Sequence, residues 1–192
     1  MDVYTIHRSE DVLQLLRTPQ SVAGSTRQTL VTNASIKALL EALVRADSET
    51  VKQSISYVLG IRGSKHAVPL LIKLLDDPAS GVRSVAAESL AKIGSNQAGV
   101  ALFEHYFEEA DIEVKRMYAV ALGSVHYVPA VPTLVAALSD PDSSLRGSAA
   151  WSLGELGDVN VLTKLTTALS QETDPYVRER LENALAVLHI KQ

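Results

Sequence analysis

The sequence predicts an all-α fold, a right-handed α-solenoid of about five helical hairpins behind an N-terminal helical cap. Three observations lead to this prediction. An apolar residue followed by a basic one recurs every 31 or 32 positions, a leucine stands seven positions after each basic residue, and aromatic residues make up only 5% of the chain. Periods of this length are typical of repeat proteins, in which stacked hairpins share one continuous core. The recurring pairs are Val51-Lys52, Val82-Arg83, Val114-Lys115, Leu145-Arg146 and Val177-Arg178.

The second helix of each hairpin is predicted from the apolar residues that follow the basic one. Apolar residues recur three, seven and ten positions later, and this spacing puts them on one face of a helix. We therefore expect that face to be the buried seam. Its members are Ile55, Ala86, Tyr118, Ala149 and Leu181, then Leu59, Leu90, Leu122, Leu153 and Leu185, then Ile93, Val125, Leu156 and Leu188. Gly63, Gly94 and Gly157 follow as predicted C-caps, because glycine adopts the left-handed conformation readily.

The first helix of each hairpin is clearest at residues 68–75 and 131–138. Pro69 and Pro132 suit a first helical turn, where a missing N–H costs nothing. Asp-Pro dipeptides then predict the break between the two helices, because proline disfavours the helical conformation in the residue before it. These dipeptides are Asp77-Pro78, Asp140-Pro141 and, later in its repeat, Asp174-Pro175.

This phasing divides residues 34–192 into five predicted repeats, at about 34–63, 65–94, 96–126, 128–158 and 159–190. Residues 1–33 match the repeat poorly and are predicted to form an N-terminal cap or an atypical repeat. Within them, Ser9 begins a predicted capped helix that ends before Pro19. The polar stretch 21–33 is interpreted as a degenerate second helix.

Composition limits the classes of function. The net charge is −4 over 192 residues, which disfavours a nucleic-acid binder. The absence of cysteine excludes disulfides, thiol catalysis and thiolate metal sites. No signal peptide is recognisable at the N-terminus, and no stretch approaches the roughly 18 apolar residues of a membrane span. We therefore expect a cytoplasmic protein without membrane insertion.

Two of the repeats carry a family resemblance. The matching residues are Asp77-Pro78, Val82-Arg83, Ala86-Ala87, Leu90 and Ile93-Gly94, and again Asp140-Pro141, Leu145-Arg146, Ala149-Ala150, Leu153-Gly154 and Leu156-Gly157. This pattern resembles HEAT repeats, and is similar to the short subtype found in lyases that attach bilin pigments to phycobiliproteins. The resemblance covers about residues 34–190 and implies that the second helices line a concave face. It also implies that the recurring basic residues serve the fold, by reaching carbonyls or an acidic residue of the adjacent turn.

A partner-binding surface is predicted on that concave face. Positions one, two, five and nine after each basic residue should point away from the seam, including Ser54, Gly147 and Ser148. Exposed apolar and aromatic side chains rimmed by charges are typical of binding sites. The candidate residues are Tyr57, Glu88, Arg116, Met117, Val120, Trp151, Glu155 and Arg180. The alternative is that Trp151 packs against the neighbouring helix and binds nothing.

The sequence contains no recognisable catalytic or metal-binding motif. The sequence has no glycine-rich phosphate loop, no GxSxG elbow and no His-Glu dipeptide of the kind that holds iron in some HEAT-repeat hydroxylases. The acidic cluster at 104–113 is interpreted as a solvated surface. His126 and His189 share a repeat position and are interpreted as helix caps. We predict no catalytic residue, cofactor or metal site.

Three functions remain open at this point. The first is a scaffold or adaptor that holds a partner protein on the concave face. The alternative is a non-autonomous subunit of a bilin lyase or isomerase, working with a second HEAT-repeat chain. The third is nucleic-acid binding, which the interleaved charges disfavour.

Overall fold

A computed structural model of the chain describes residues 5–17 and 23–190. The secondary structure within these ranges is helical apart from turns and one isolated bridge, which confirms the all-α prediction. The chain forms two compact units that divide between Ile93 and Gly94. The first contains α1 (Ser9–Arg17), α2 (Ala23–Asn33), α3 (Ile36–Val44), α4 (Glu49–Ile61), α5 (Val68–Lys73) and α6 (Ser80–Ile93). The second contains α7 (Ala98–Glu108), α8 (Ile112–Ser124), α9 (Val131–Ala137), α10 (Ser143–Leu156), α11 (Leu162–Gln171) and α12 (Pro175–Ile190).

The N-terminal segment is tied to the first unit by a short parallel bridge. Ile6 donates its N–H to Asn33 O at 2.7 Å, and Ser35 donates to Ile6 O at 2.8 Å. The predicted helix at Ser9 is α1, which packs on α3. The polar stretch predicted as a degenerate second helix contains α2, which packs on α4; its residues 21 and 22 lie outside the described part.

The predicted seam forms most of the core. The residues at the third position are buried in all five repeats, and those at the seventh position are buried in the first four. Two seam predictions were wrong, because Leu156 and Leu185 are only half-buried. Leu156 is the last residue of α10, and α12 buries Leu181, Ala184 and Leu188 instead of Leu185. Three residues predicted to point away from the seam, Ser54, Gly147 and Ser148, are buried. The Tyr176 ring lies over Gly147, and Arg27 contacts Ser54.

The helix ends follow the sequence signals in most repeats. Pro69 and Pro132 lie in the first turns of α5 and α9. Gly63, Gly94 and Gly157 take φ values of 60°, 65° and 74°, as a left-handed cap requires. His126 occupies the same repeat position with φ 52°, which confirms its role at the end of α8. The equivalent prediction for His189 was wrong, because α12 continues through it to Ile190.

The strained backbone of His126 gives a stability prediction. A residue with a side chain pays about 1 kcal/mol or more to adopt the left-handed conformation, and glycine does not. We expect His126→Gly to raise the free energy of unfolding by about 1 kcal/mol, measured by urea denaturation. Gly157→Ala, the reverse change at the equivalent position, should lower it by a similar amount. A His126→Gly variant less stable than the wild type would show that the imidazole makes a compensating interaction.

Four of the recurring basic residues contact the turns, as the resemblance implied, and the fifth, Lys115, contacts an aromatic ring of α7 instead. Lys52 Nζ lies 2.6 Å from Asp77 Oδ2. Arg83 donates to the carbonyls of Asp77 and Pro78 at 3.0 and 3.1 Å, and Arg146 donates to the equivalent carbonyls of Asp140 and Pro141. Arg178 reaches the carbonyls of Leu169 and Glu172, and Lys115 Nζ lies 5.1 Å from the centre of the Tyr106 ring. Lys52, Arg83, Arg146 and Arg178 thus hold helix and turn together within each unit.

Arg146 also forms a buried ion pair with the next turn. Its Nε and Nη2 atoms donate to the two Glu172 carboxylate oxygens at 2.7 and 3.1 Å. The side chains are only 17% and 7% exposed. Glu172 also accepts backbone N–H groups from Thr173 and Asp174 at 2.9 Å. The Arg146 hydrogen bonds are the main cause that holds the pKa of Glu172 at about 2, below the usual 4.5.

Neighbouring second helices meet at glycine in each unit. A Cβ atom on Gly60 of α4 would lie 2.8 Å from Ser89 Cα of α6. In the second unit, a Cβ on Gly123 of α8 would lie 2.8 Å from Ser152 Cα of α10. Ser89 and Ser152 each donate their hydroxyl across the contact at 2.9 Å, to Ser56 O and to Ala119 O. The same device thus joins two pairs of helices.

Candidate functional site

The eight predicted binding residues are all partly exposed, and each lies on a second helix. Tyr57 is on α4 and Glu88 on α6 in the first unit. In the second unit, α8 carries Arg116, Met117 and Val120, α10 carries Trp151 and Glu155, and α12 carries Arg180. Tyr57 and Glu88 belong to one cluster, Trp151, Glu155 and Arg180 belong to a second, and the other three lie apart from both.

The first cluster places cations over an aromatic ring. Arg27 and Lys92 lie with their charged groups 5.7 and 5.5 Å from the centre of the Tyr57 ring. Lys92 also pairs with Glu88 one helical turn away. Arg27 is oriented by a 3.3 Å hydrogen bond from its Nε to Ser54 Oγ. Sequence reasoning missed Arg27, because α2 does not match the repeat pattern that identified the other residues.

The second cluster surrounds a cleft between α10 and α12, referred to below as the α10–α12 cleft. Its volume is about 190 Å³. Three of the predicted residues line it, together with four others: Trp151, Gly154, Glu155, Arg180, Asn183, Ala184 and Val187. The helices approach closely at its base, because a Cβ on Gly154 would lie 3.1 Å from Ala184 Cα. Asn183 and Val187 stand at the same repeat positions as Trp151 and Glu155, a signal that could have predicted them from the sequence.

Arg180 is oriented by an aromatic ring beside the cleft. Its guanidinium carbon lies 5.1 Å from the centre of the Tyr176 ring, within the range of a cation–π contact. Tyr176 in turn packs over Gly147, where a Cβ would lie 2.5 Å from its Cε1 atom. The absence of a side chain at Gly147 therefore lets the Tyr176 ring pack there, and Tyr176 positions the Arg180 guanidinium beside the cleft.

Polar groups of the cleft retain hydrogen-bonding capacity. Within residues 5–17 and 23–190, neither Trp151 nor Glu155 makes a side-chain hydrogen bond or ion pair. An indole N–H donor, a carboxylate acceptor and a guanidinium thus border one small apolar space. Such a space can hold a side chain or one end of a larger ligand that carries a charged or hydrogen-bonding group.

The remaining predicted residues lie outside this lining. Arg116 on α8 pairs with Glu113 at 3.0 Å, and Met117 and Val120 are its half-buried neighbours on the same helix. Their part in binding stays a prediction. The lining of the cleft comes from α10 and α12 alone.

A second cavity, of about 440 Å³, lies in the first unit among the N-terminal segment, α1 and α2. Thr5, Ile6, Asp11, Gln14, Leu15, Thr29 and Asn33 line it. Hydrogen bonds from Arg8 lower the pKa of the Asp11 carboxyl. Sequence reasoning missed this cavity, because it depends on the pairing of Ile6 with Ala34.

Acidic and histidine side chains do not form a metal-binding group in the described part of the chain. No three carboxylates, histidines or cysteines there converge on one point. In the acidic cluster, Glu109 accepts the N–H of Asp111 at 2.8 Å, and Asp111 caps α8 through the N–H of Glu113 at 3.0 Å. These two carboxylates have local structural roles. None of the described helices is long and apolar enough to cross a membrane.

Comparison with known proteins gives a family match over most of the chain. The family model of HEAT repeats matches residues 36–107 and 100–186. The bilin biosynthesis protein PecE of Nostoc is 38% identical over 95 residues, which are 47% of this chain and 37% of PecE. Deoxyhypusine hydroxylase of Candida albicans is 33% identical over 84 residues, which are 42% of this chain and 26% of that enzyme. The matches therefore span about a quarter to two fifths of these relatives.

Solved structures show the same fold. In the complex of CpcE and CpcF of phycocyanin lyase from Nostoc, a chain aligns with a TM-score of 0.66 and 24% identity, over 78% of this chain and 99% of that one. A designed armadillo repeat protein in complex with the peptide (KR)4 aligns with a TM-score of 0.62 and 19% identity, over 93% of this chain and 98% of that one. Both likenesses support an α-solenoid architecture.

Proposed function

Because the chain belongs to the HEAT-repeat family, we propose that it is a non-autonomous subunit of a bilin lyase or isomerase that acts on phycobiliproteins. The observation that carries the proposal is the 38% identity with a bilin biosynthesis protein over 95 residues. The sequence alone favoured a general scaffold, and the similarity to PecE supports the bilin alternative better. The two are compatible in part, because a lyase subunit also has to bind another protein.

The chemistry of the α10–α12 cleft supports this proposal. A bilin is a conjugated, largely apolar chain that carries carboxylates. Arg180 and Asn183 offer N–H donors to a carboxylate, and Trp151 and Val187 offer apolar surface beside them. A carboxylate-bearing part of a bilin would lie in the cleft, with the carboxylate on Arg180.

The size of the cleft supports a role that requires a second protein. Small-molecule sites usually occupy about 300–1,000 Å³ and bury most of their ligand. The cleft, at about 190 Å³, encloses only part of a molecule as long as a bilin. The rest of the pigment would be covered by the phycobiliprotein or by a second HEAT-repeat chain. This chain by itself should therefore bind a bilin weakly.

The test is the absorption spectrum of phycocyanobilin mixed with the chain alone, with a phycocyanin apo-subunit, and with both that subunit and a second HEAT-repeat chain of the phycocyanin lyase type. We expect a small shift of the visible band with the chain alone and a larger one when the other proteins are present. Each mixture without this chain serves as its control. Spectra that this chain leaves unchanged in every mixture would overturn the proposal.

A protein scaffold without bilin chemistry is the second candidate, and the free indole N–H of Trp151 favours it. A cleft of this size also fits a single protein side chain, and tryptophan is enriched among residues that dominate binding energy. If the partner of such a scaffold is the phycocyanin apo-subunit, the chain binds that subunit equally well with and without pigment, and Trp151→Ala weakens the binding. If the chain is a lyase-type subunit, pigment strengthens the complex instead.

A further inference from the structure

Helix α7 is apolar on two different faces. One face carries Ala98, Leu102 and Tyr106, which are buried in the second unit. Val100, Phe103 and Phe107 form a second stripe, at spacings of three and four residues. Val100 is 52% exposed and Phe107 is 58% exposed. A helix that only served the core would carry polar side chains on this second face.

The exposed stripe is part of an ordered aromatic cluster. The ring centres of Phe103 and Phe107 lie 5.0 Å apart, edge to face, and those of Phe103 and Tyr127 lie 5.6 Å apart. Tyr127 reaches this position because Gly99 has no side chain: a Cβ there would lie 2.4 Å from Tyr127 Cδ2. We call Val100, Phe103, Phe107 and Tyr127 the α7 patch. Rings that already pack together lose little side-chain freedom when a partner binds.

Negative charge borders the α7 patch on one edge. Glu104 and Glu108 are exposed on α7 and lie next to the stripe around the helix, on the side opposite Gly99. No lysine or arginine occurs between Lys92 and Lys115. Five carboxylates occur in the same interval: Glu104, Glu108, Glu109, Asp111 and Glu113. Lys115 lies on the other side, with its Nζ 5.1 Å from the centre of the Tyr106 ring, which is 5.7 Å from that of Phe107. The edge of the patch beside Glu104 and Glu108 therefore attracts basic groups and repels acidic ones.

We propose that the α7 patch is a docking site for a protein segment that carries apolar side chains flanked by lysine or arginine. Its aromatic rings and Val100 would bury the apolar side chains, while Glu104 and Glu108 pair with the basic ones. A second copy of this chain is a poorer occupant, because its own patch has the same acidic border and each copy has a net charge of −4. An anionic membrane is disfavoured by the same repulsion. The site uses none of the residues of the α10–α12 cleft and does not depend on the proposed bilin function.

The probe is a fluorescently labelled amphipathic helical peptide, with leucine on one face and lysine on the other. Binding to the full chain is followed by fluorescence anisotropy at low and high salt. We expect Phe107→Ser and Val100→Ser each to weaken binding about tenfold, as loss of a central apolar contact does. The double variant Glu104→Gln/Glu108→Gln should bind more weakly at low salt and show a flatter salt dependence. A peptide with glutamate in place of lysine should not bind.

Matched variants elsewhere control for general effects. Val44→Ser removes a valine that is 69% exposed on α3. The double variant Glu41→Gln/Glu49→Gln removes two exposed carboxylates. Both of these control variants should bind the peptide like the wild type. The proposal would be overturned if Phe107→Ser and Val100→Ser bound the lysine peptide as tightly as the wild type does. It would also be overturned if the wild type bound the glutamate peptide as tightly as the lysine peptide. Sedimentation showing a dimer that Phe107→Ser dissociates would assign the patch to a second copy and overturn it too. So would binding to phosphatidylserine vesicles that Phe107→Ser abolishes.

Discussion

Replacing Gly60 by alanine should lower the free energy of unfolding by about 2 kcal/mol. The new Cβ would lie 2.8 Å from Ser89 Cα, which is backbone and cannot rotate away, so α4 and α6 would have to move apart. Overpacking of this kind costs about 1–3 kcal/mol. Alanine has a better helix propensity than glycine, which stabilises the variant by about 1 kcal/mol. A net loss of about 2 kcal/mol therefore requires an overpacking cost of about 3 kcal/mol. Urea denaturation followed by circular dichroism measures it.

Gly81 supplies the matched control, because it lies in the adjacent helix α6 with different surroundings. A Cβ there would meet Gln53 Nε2 at 2.6 Å, the far end of a flexible side chain that can turn aside. Gly81→Ala should therefore leave stability unchanged or raise it by about 0.5–1 kcal/mol. Gly123→Ala should repeat the loss seen at Gly60, because its contact with Ser152 is the same. If Gly60→Ala and Gly81→Ala changed the free energy of unfolding by the same amount, α4 and α6 would not approach at Gly60 as closely as described.

Replacing Glu172 by glutamine should lower the free energy of unfolding by about 2 kcal/mol at neutral pH, because it removes the buried partner of Arg146. The folded-state pKa of Glu172 is about 2, below the unfolded value of 4.5. A carboxyl with a lowered folded-state pKa stabilises the protein fully above its unfolded pKa, and that contribution is lost as the pH falls towards 2. The difference between the wild type and Glu172→Gln should therefore be constant above about pH 5 and shrink as the pH falls below 4.5.

An exposed ion pair provides the comparison. Glu182 lies 3.8 Å from Arg178, and its side chain is 58% exposed. Glu182→Gln should change stability by less than about 0.5 kcal/mol, because solvent screens such pairs. A pH-independent loss in Glu172→Gln would mean that packing, and not the charge of the carboxylate, accounts for its effect.

Features that repeat along the chain were predictable from the sequence. The 31- or 32-residue period placed the buried residues of most second helices, such as Ile55 and Leu122, and the left-handed glycines at their ends. The resemblance to HEAT repeats in turn implied that recurring basic residues such as Arg146 contact the turns, and Arg146 does. His189 departed from the pattern because α12 continues past the position where earlier second helices turn, and Leu185 departed from it because α12 buries Ala184 in its place.

Features that depend on a single contact were not predictable. Arg27 meets Tyr57 through α2, whose sequence does not carry the repeat. A glycine in the middle of a helix, such as Gly60, gives no sequence signal for what lies opposite it. The sequence analysis assigned no role to Phe103 and Phe107, and only the structure shows that Phe103 is half-buried and Phe107 is exposed. The repeat identified three residues that line the cleft, but their arrangement around it depends on the approach of α10 to α12 at Gly154.

The bilin proposal requires that the α10–α12 cleft holds a carboxylate-bearing part of the pigment within a complex with a phycobiliprotein. The most direct measurement is the visible spectrum of phycocyanobilin titrated with the chain and a phycocyanin apo-subunit, for the wild type beside Arg180→Gln and Lys164→Gln. Both variants lose one cation, but Lys164 is an exposed residue of α11 and does not line the cleft. We expect Arg180→Gln to raise the concentration of the chain at which the shifted band is half-saturated by about tenfold, because a charged hydrogen bond is lost. Lys164→Gln should leave that concentration unchanged. Identical titrations for all three proteins would contradict the claim.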